Sequence, residues 1–316
     1  MINRRHLRIK VLQSLYAYFL GDETNYKKAE TELIHSIERI YDLYLYLLLS
    51  FEELKTIHEN KINENRLKAR PTAEDLDPNL KFINNRIFNL LSNSTSLRHA
   101  SEMNKVNWLG VENHEMFKKI LNHIKESEVY FSYIKSEEDS FENDKEFVCQ
   151  LFKEEIANSN LIYNFFEEKS IHWLDDIDLA CSLVLKTIKS LDEEEENNRI
   201  LPLYKDEEDE VGFYKTLFRK TILLDNENEQ LIDDLTKNWE FERIAKMDVI
   251  LMKMAITELQ EFQNIPKKVT LNEYIEISKY YSTPKSSGFI NGILDQAVSR
   301  LETTEKIRKI GRGLMD

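Results

Sequence analysis

The 316-residue chain is poor in the residues that punctuate a backbone, with seven glycines and five prolines. An all-β fold joins many short strands by tight turns, and such turns draw on the free φ of glycine and the fixed φ of proline. Their scarcity excludes that class and predicts an all-α fold. Two cysteines, Cys149 and Cys181, are too few for a disulfide framework and have no metal-ligand spacing, so both are expected to be small core residues in a reducing cytoplasm. Long apolar runs are also missing. The strongest, Leu43 to Phe51, is about half the length of a membrane span, and the opening Met1-Ile2-Asn3-Arg4-Arg5 runs into an amphipathic stretch unlike a secretory signal. A soluble, cytoplasmic protein with no membrane partner is expected.

Signatures of catalysis are absent from the sequence. No nucleophile elbow, P-loop, dinucleotide fingerprint or His-Glu-x-x-His occurs. The seven histidines form no i, i+4 pair suited to a metal, His114 and His123 being nine apart. Acid pairs such as Glu193 and Glu194 sit in charge runs, where general acid-base work would need a cleft that the sequence does not suggest. No catalytic residue, metal ligand or cofactor is assigned, and binding is the expected activity.

What is present is charge, unevenly placed. The chain carries a net −14, yet residues 1 to 20 hold Arg4, Arg5, Arg8 and Lys10 with no acid, and residues 264 to 316 hold nine Lys and Arg against six Asp and Glu. The middle is therefore more acidic than the whole, and both ends are basic. Such asymmetry is a better guide to an anionic partner than the total.

Helical periodicity runs through the chain. Leu7, Val11, Leu12, Leu15, Tyr16 and Phe19 share one face of a first helix, with most of the basic residues off it, and Gly21-Asp22 ends it. A long second helix is expected from about Tyr26 to Asn60. Residues 70 to 110 are rich in Asn and Ser and read as a connector with one helix, Asn79 to Leu91. Three helices follow, over about 111–135, 144–169 and 173–191. The runs Asp192 to Glu196 and Asp206 to Glu210 read as solvated acidic loop, or as a decoy or docking segment. Further helices are expected over 211–222, 227–238, 240–262, 269–281 and 285–303, and the basic tail after Glu305 is expected to fray. In domains, this gives N-terminal helices over 1–60, a helical and acidic segment over 61–210, and a C-terminal bundle over 211–316.

The last helix is the most informative stretch. Ser282 to Asp295 reads STPKSSGFINGILD and holds two of the seven glycines. Thr283-Pro284 suggests N-cap and N1, and Phe289, Ile290, Ile293, Leu294, Ala297, Val298 and Leu301 make an apolar stripe. Lys285, Ser286 and Ser287 fall in a first turn whose N–H groups and partial positive charge suit an anion. An interior glycine costs a helix about 1 kcal/mol relative to alanine, so Gly288 and Gly292 serve either close helix packing or the approach of a ligand backbone such as phosphate-ribose.

The blocks Asp248 to Leu259 (DVILMKMAITEL), Ile265-Pro266-Lys267-Lys268-Val269, Asn272-Glu273 and Ser286-x-x-Phe289-Ile290-Asn291-Gly292-Ile293-Leu294-Asp295 resemble the C-terminal half of the NusB transcription antitermination family. Arg4-Arg5-x-x-Arg8 with Gln13-x-Leu15-Tyr16 resembles its basic first helix, and Trp239 with Glu242-Arg243 fits its pattern before the acidic position. The resemblance covers about residues 1–50 and 211–303. It implies two small helical bundles enlarged by an insertion of about 150 residues, binding of boxA-like single-stranded RNA, pairing with ribosomal protein NusE, and a place beside other Nus factors in the transcription elongation complex, in ribosomal RNA synthesis. Carried over by position, Arg4, Arg5, Arg8 and Gln13 contact RNA from the first helix, while Lys285, Ser286, Phe289 and Asn291 contact it from the start of the last. Tyr16 and Asp248 fall on the NusE side. Lys285 departs from an acid common in relatives, and Gly288 and Val249 stand where relatives often carry polar or basic residues. NusB-like domains also front RNA cytosine methyltransferases, but no methyl-donor site is expected within 316 residues. The alternative is a helical protein–protein adaptor or ribosome-assembly scaffold without RNA affinity.

Overall fold

The structure is a computed structural model that describes residues 1–21, 25–173, 175–195, 198–236 and 243–314. Every regular element among the described residues is helical, as the turn-poor composition predicts, and none is long and apolar enough to cross a membrane. The chain divides into two compact units: Met1 with Glu38–Leu203, and Ile2–Ile37 with Tyr204–Asp316.

The unit built on residues 38–203 takes most of the long helix α2 (Tyr26–Arg66), then α3 (Ala73–Leu76), α4 (Arg86–Ser92), α5 (Thr95–Asn104), α6 (Val111–Glu126), α7 (Glu128–Lys135), α8 (Phe141–Leu151), a π-helical turn (Phe152–Ile156), α9 (Asn160–Lys169) and α10 (Ile177–Ser190). The expected connector holds three helices, α3, α4 and α5, not one over 79–91. The Asn and Ser that made it look like a loop are caps: Asn85 Oδ1 accepts from the N–H groups of Ile87 and Phe88, and Ser94 Oγ from Leu97. Ser127, whose hydroxyl accepts from the Tyr130 N–H, likewise divides the expected 111–135 helix. The core is aromatic, with Trp108 and Trp173 donating their indole N–H to the carbonyls of Tyr46 and Arg39, and Tyr133 stacked on Phe147 at 3.8 Å. His58 is buried against Phe82, its ring nitrogen Nδ1 without a partner. Burial first, then Lys125 and Lys61, push its pKa down to about 3.

The other unit comprises α1 (Arg4–Leu20), the start of α2, α11 (Glu207–Leu223), α12 (Asp225–Leu235), α13 (Lys246–Glu261), α14 (Lys267–Tyr281) and α15 (Ser286–Thr303). Its centre is α13, buried without a break from Asp248 to Leu259 because α1, α11, α12, α14 and α15 all pack on it. The acidic run 206–210 is not a solvated loop. Asp206 caps α11, accepting from the Asp209 N–H, and Glu207 to Glu210 form its first turn, where carboxylates offset the helix dipole. The described part of the tail packs instead of fraying: Ile310 donates its N–H to the Gln263 carbonyl, and Lys309 Nζ to that of Phe262. Trp239 and Glu242 lie outside the described residues, as do Asp22 and Glu196.

His58 stays neutral in the fold down to about pH 3, whereas the unfolded chain takes up its proton near pH 6.5. Its folded pKa is depressed, so below pH 6.5 the unfolded state binds the extra proton and stability falls as pH falls. Urea unfolding of His58→Phe should lose the component of that slope worth about 1.4 kcal/mol per pH unit between pH 6 and 4. A slope equal to that of the unaltered chain would contradict the burial argument.

Candidate nucleic-acid interface

The basic face of α1 is sorted by burial. Arg8 is enclosed and makes a two-pronged contact with Glu258 of α13, Nε to Oε2 at 2.8 Å and Nη2 to Oε1 at 2.7 Å. Thr270 and Tyr274 of α14 donate their hydroxyls to the same carboxylate at 2.9 and 3.0 Å. Burial opposes the Arg8 charge, but Glu258 outweighs it and the guanidinium pKa is raised. The expectation that Arg8 contacts RNA is therefore corrected: its donors are spent inside the core.

Arg4 and Arg5 lie nearer the solvent. Arg5 grips Glu273 of α14 through Nε and Nη2, both at 2.8 Å, and these hydrogen bonds hold the Glu273 carboxyl below its usual range. Arg4 meets Asp209 in the acidic first turn of α11 at 2.7 Å and lies over the Phe213 ring. Gln13 is half-buried further along α1, and Tyr16 is exposed with Leu20 one turn beyond it.

The start of α15 differs from its expected form. The helix begins at Ser286, and Lys285, not Thr283, occupies the N-cap without a side-chain capping bond. Asp248, expected to face a partner, is buried: Ser282 donates its hydroxyl to Oδ1, and Ser286 donates to Oδ2 at 2.7 Å. Thr283 and Ser286 hydroxyls are 2.8 Å apart. Ser286 is thus spent on fixing α15 to α13 and is withdrawn, with Asp248, from the set of solvent-facing contacts. Lys285 and Asn291 are exposed and Phe289 half-buried. A pocket of about 280 Å³ forms here, lined among others by Arg243, Ile244, Asp248, Lys285, Ser286 and Phe289. A Cβ built at Gly288 or Gly292 meets nothing within 4 Å, so neither glycine is there for close helix packing.

The structure thus gathers Arg4, Arg5 and Arg8 at one station and Lys285, Ser286 and Phe289 at another, all within one compact unit. Sequence reasoning missed Glu258, Thr270 and Tyr274 as the residues that consume Arg8. The available signal was a single acid in the apolar run Ile256-Thr257-Glu258-Leu259, on a helix that is otherwise core.

Residues 178–299 match the family model described as the NusB family. The chain carries a NusB-family domain. The match starts in α10, upstream of the boundary expected at 211. Among similar proteins are those named transcription antitermination protein NusB from Salinibacter ruber, 43% identical over 103 residues (33% of this chain, 64% of the relative), from Chloroherpeton thalassium, 48% over 79 residues (25% and 37%), and from Natranaerobius thermophilus, 41% over 73 residues (23% and 52%). The chain thus spans between 37% and 64% of the length of these NusB relatives. No solved structure matches significantly.

Removing one partner of a buried ion pair strands the other, so Arg8→Met should lower unfolding stability by about 3–5 kcal/mol, with much of the loss recovered in Arg8→Met/Glu258→Leu. Thermal and urea unfolding of the three chains would check this, and a wild-type midpoint for the single variant would refute it. Gly292→Ala, with open space at its Cβ, should instead gain about 0.5–1 kcal/mol in the same measurement.

Proposed function

We propose that this protein is a non-enzymatic RNA-binding transcription antitermination factor. It holds boxA-like single-stranded RNA together with ribosomal protein NusE, acts in the elongation complex with other Nus factors, and promotes ribosomal RNA transcription. The observation that carries this reading is where the solvent-facing cations lie. Arg4, Arg5 and Lys285 all belong to the unit that holds most of the family match, while Arg8 and Lys253 in that unit are buried against carboxylates.

The chemistry follows from that sorting. Arg4 and Arg5 already hold carboxylates in the free protein, and partly exposed ion pairs contribute only about 0–1 kcal/mol. Exchange of a carboxylate for a phosphate is therefore nearly neutral locally, and release of counterions from the RNA drives it. Phe289 offers a ring for base stacking, and the exposed Asn291 amide can read a base edge. On the partner side, Tyr16 and Leu20 present an exposed apolar pair on α1 that suits a protein surface.

Titration of boxA-like RNA across salt concentrations tests the reading. Affinity should fall steeply from low to moderate salt, and Arg5→Ala should weaken binding several-fold on all sequences alike while lowering the salt slope by about 0.7. Asn291→Ala should narrow the difference between boxA-like and scrambled RNA. An affinity indifferent to salt would overturn the proposal.

A further inference from the structure

The last turns of α2 and the facing side of α6 border a groove of about 420 Å³ that no role so far described uses. Ile57, Lys61 and Glu64 come from successive turns of α2, and His114, Lys118 and Leu121 from successive turns of α6. Lys61 Nζ crosses between the helices to Asn122 Oδ1 at 3.0 Å. At that end His58 precedes Lys61 by three residues and Lys125 follows Leu121 by four, so each continues its wall of the groove.

Charge is unbalanced at this end. Among the described residues the Lys125 ammonium has no hydrogen bond or ion pair, and that of Lys61 has only its bond to Asn122. Burial first, then Lys61, bring Lys125 down to about 8, and both lysines add to the depression of His58. Two lysines thus repel each other with no acid holding either, in a chain of 57 acidic against 43 basic residues. The nearby acids are placed elsewhere: Glu115 accepts from Lys118 at 2.8 Å, Glu59 lies 3.8 Å from Lys55, and Glu64, one turn further along α2, is the one carboxylate among the described lining residues. An anion between Lys61 and Lys125 relieves the repulsion.

The rest of the groove suits a polar body attached to that anion. Asn60, Asn63 and Asn65 line it with side-chain amides that make no hydrogen bond among the described residues. An amide both donates and accepts, which matches hydroxyl groups or the edge of a base. Ile57, Leu67 and Leu121 add apolar surface, and the volume falls in the range of about 300–1,000 Å³ usual for small ligands.

We propose that this groove binds a phosphate monoester of a hydroxylated small molecule, with the phosphate between Lys61 and Lys125 and the sugar or nucleoside along the asparagines. Such an ester carries nearly two negative charges at neutral pH, matching two ammonium groups. Lys61 has three donors and can keep Asn122 while it binds. The site lies wholly in the unit built on residues 38–203, so it stands or falls independently of the RNA-binding residues in the other unit.

The test is isothermal titration calorimetry of the full chain with adenosine monophosphate, ribose 5-phosphate, adenosine and inorganic phosphate, repeated on Lys61→Gln, Lys125→Gln and Lys125→Arg. Both esters should bind with dissociation constants below about 1 mM, and adenosine and inorganic phosphate at least about tenfold more weakly. Lys61→Gln and Lys125→Gln should each weaken the esters about tenfold, and Lys125→Arg should recover most of the loss. Tighter binding of the nucleotide than of the sugar phosphate would assign the ester to a nucleoside, and equal binding to a sugar. Without ligand, Lys125→Gln should melt no lower than the unaltered chain, because it removes the repulsion with Lys61; an early melt would mean that the fold itself uses the Lys125 charge, and would overturn the site. Lys61 is exposed, so its variant probes the same phosphate without disturbing the core. No ester binding at millimolar concentration, unaltered affinity in both glutamine variants, or inorganic phosphate bound as tightly as the esters would each overturn the proposal.

Discussion

The carboxylate of Glu258 is the point on which the family-matched unit turns. It lies fully buried on α13 and accepts two hydrogen bonds from Arg8 of α1 and one each from Thr270 and Tyr274 of α14. A buried charge is tolerated only when paired and hydrogen-bonded, and here four donors from two neighbouring helices meet that need. The geometry fixes which turn of α1 faces α14. Arg5 is carried to Glu273 and Arg4 to Asp209 as a consequence, so the exposure of the outer arginines depends on the burial of the inner one.

A second buried cation follows the same logic. Lys253, about two turns before the end of α13, is held by Asp225 and Glu229 of α12 and lies 5.5 Å from the Phe19 ring centroid. Basic residues in this unit thus divide into those that join helices and those that reach solvent. Net charge cannot make that division. A total of −14 does not tell which cations reach solvent, and two residues of the same type four apart, Arg4 and Arg8, have opposite fates because one points at α11's first turn and the other at a buried acid.

Helical content and the element order after α11 were legible in the sequence, since apolar periodicity over long segments is a strong local signal. Capping residues were harder to read. Asn85, Ser94 and Ser127 look like loop formers until their side-chain oxygens are seen on helix N–H groups, and the acids at 206–210 look like a solvated run until they open a helix. The candidate site was legible as a set of residues, and less so as a set of roles. Arg8, Ser286 and Asp248 carry the same polar groups as true surface contacts, and only their partners, Glu258 and Ser282, reveal that they are structural. Those partners are remote in sequence, so no local pattern announces them.

Stability leaves three positions at the start of α15 without an account. Lys285 sets a cation at the positive end of the helix dipole and makes no capping bond, where Ser or Asp would be more favourable by about 1 kcal/mol. Gly288 and Gly292 each weaken the helix, and neither makes room for a neighbour. Local rules are broken at functional sites, where another interaction supplies the compensation. An anion at the N-terminus of α15 reverses the sign of the Lys285 penalty, and a ligand backbone near Gly288 needs the space that a methyl group would take. The same ligand would answer both departures, and the buried knot of Asp248, Ser282 and Ser286 keeps them in register by anchoring the helix start to the core.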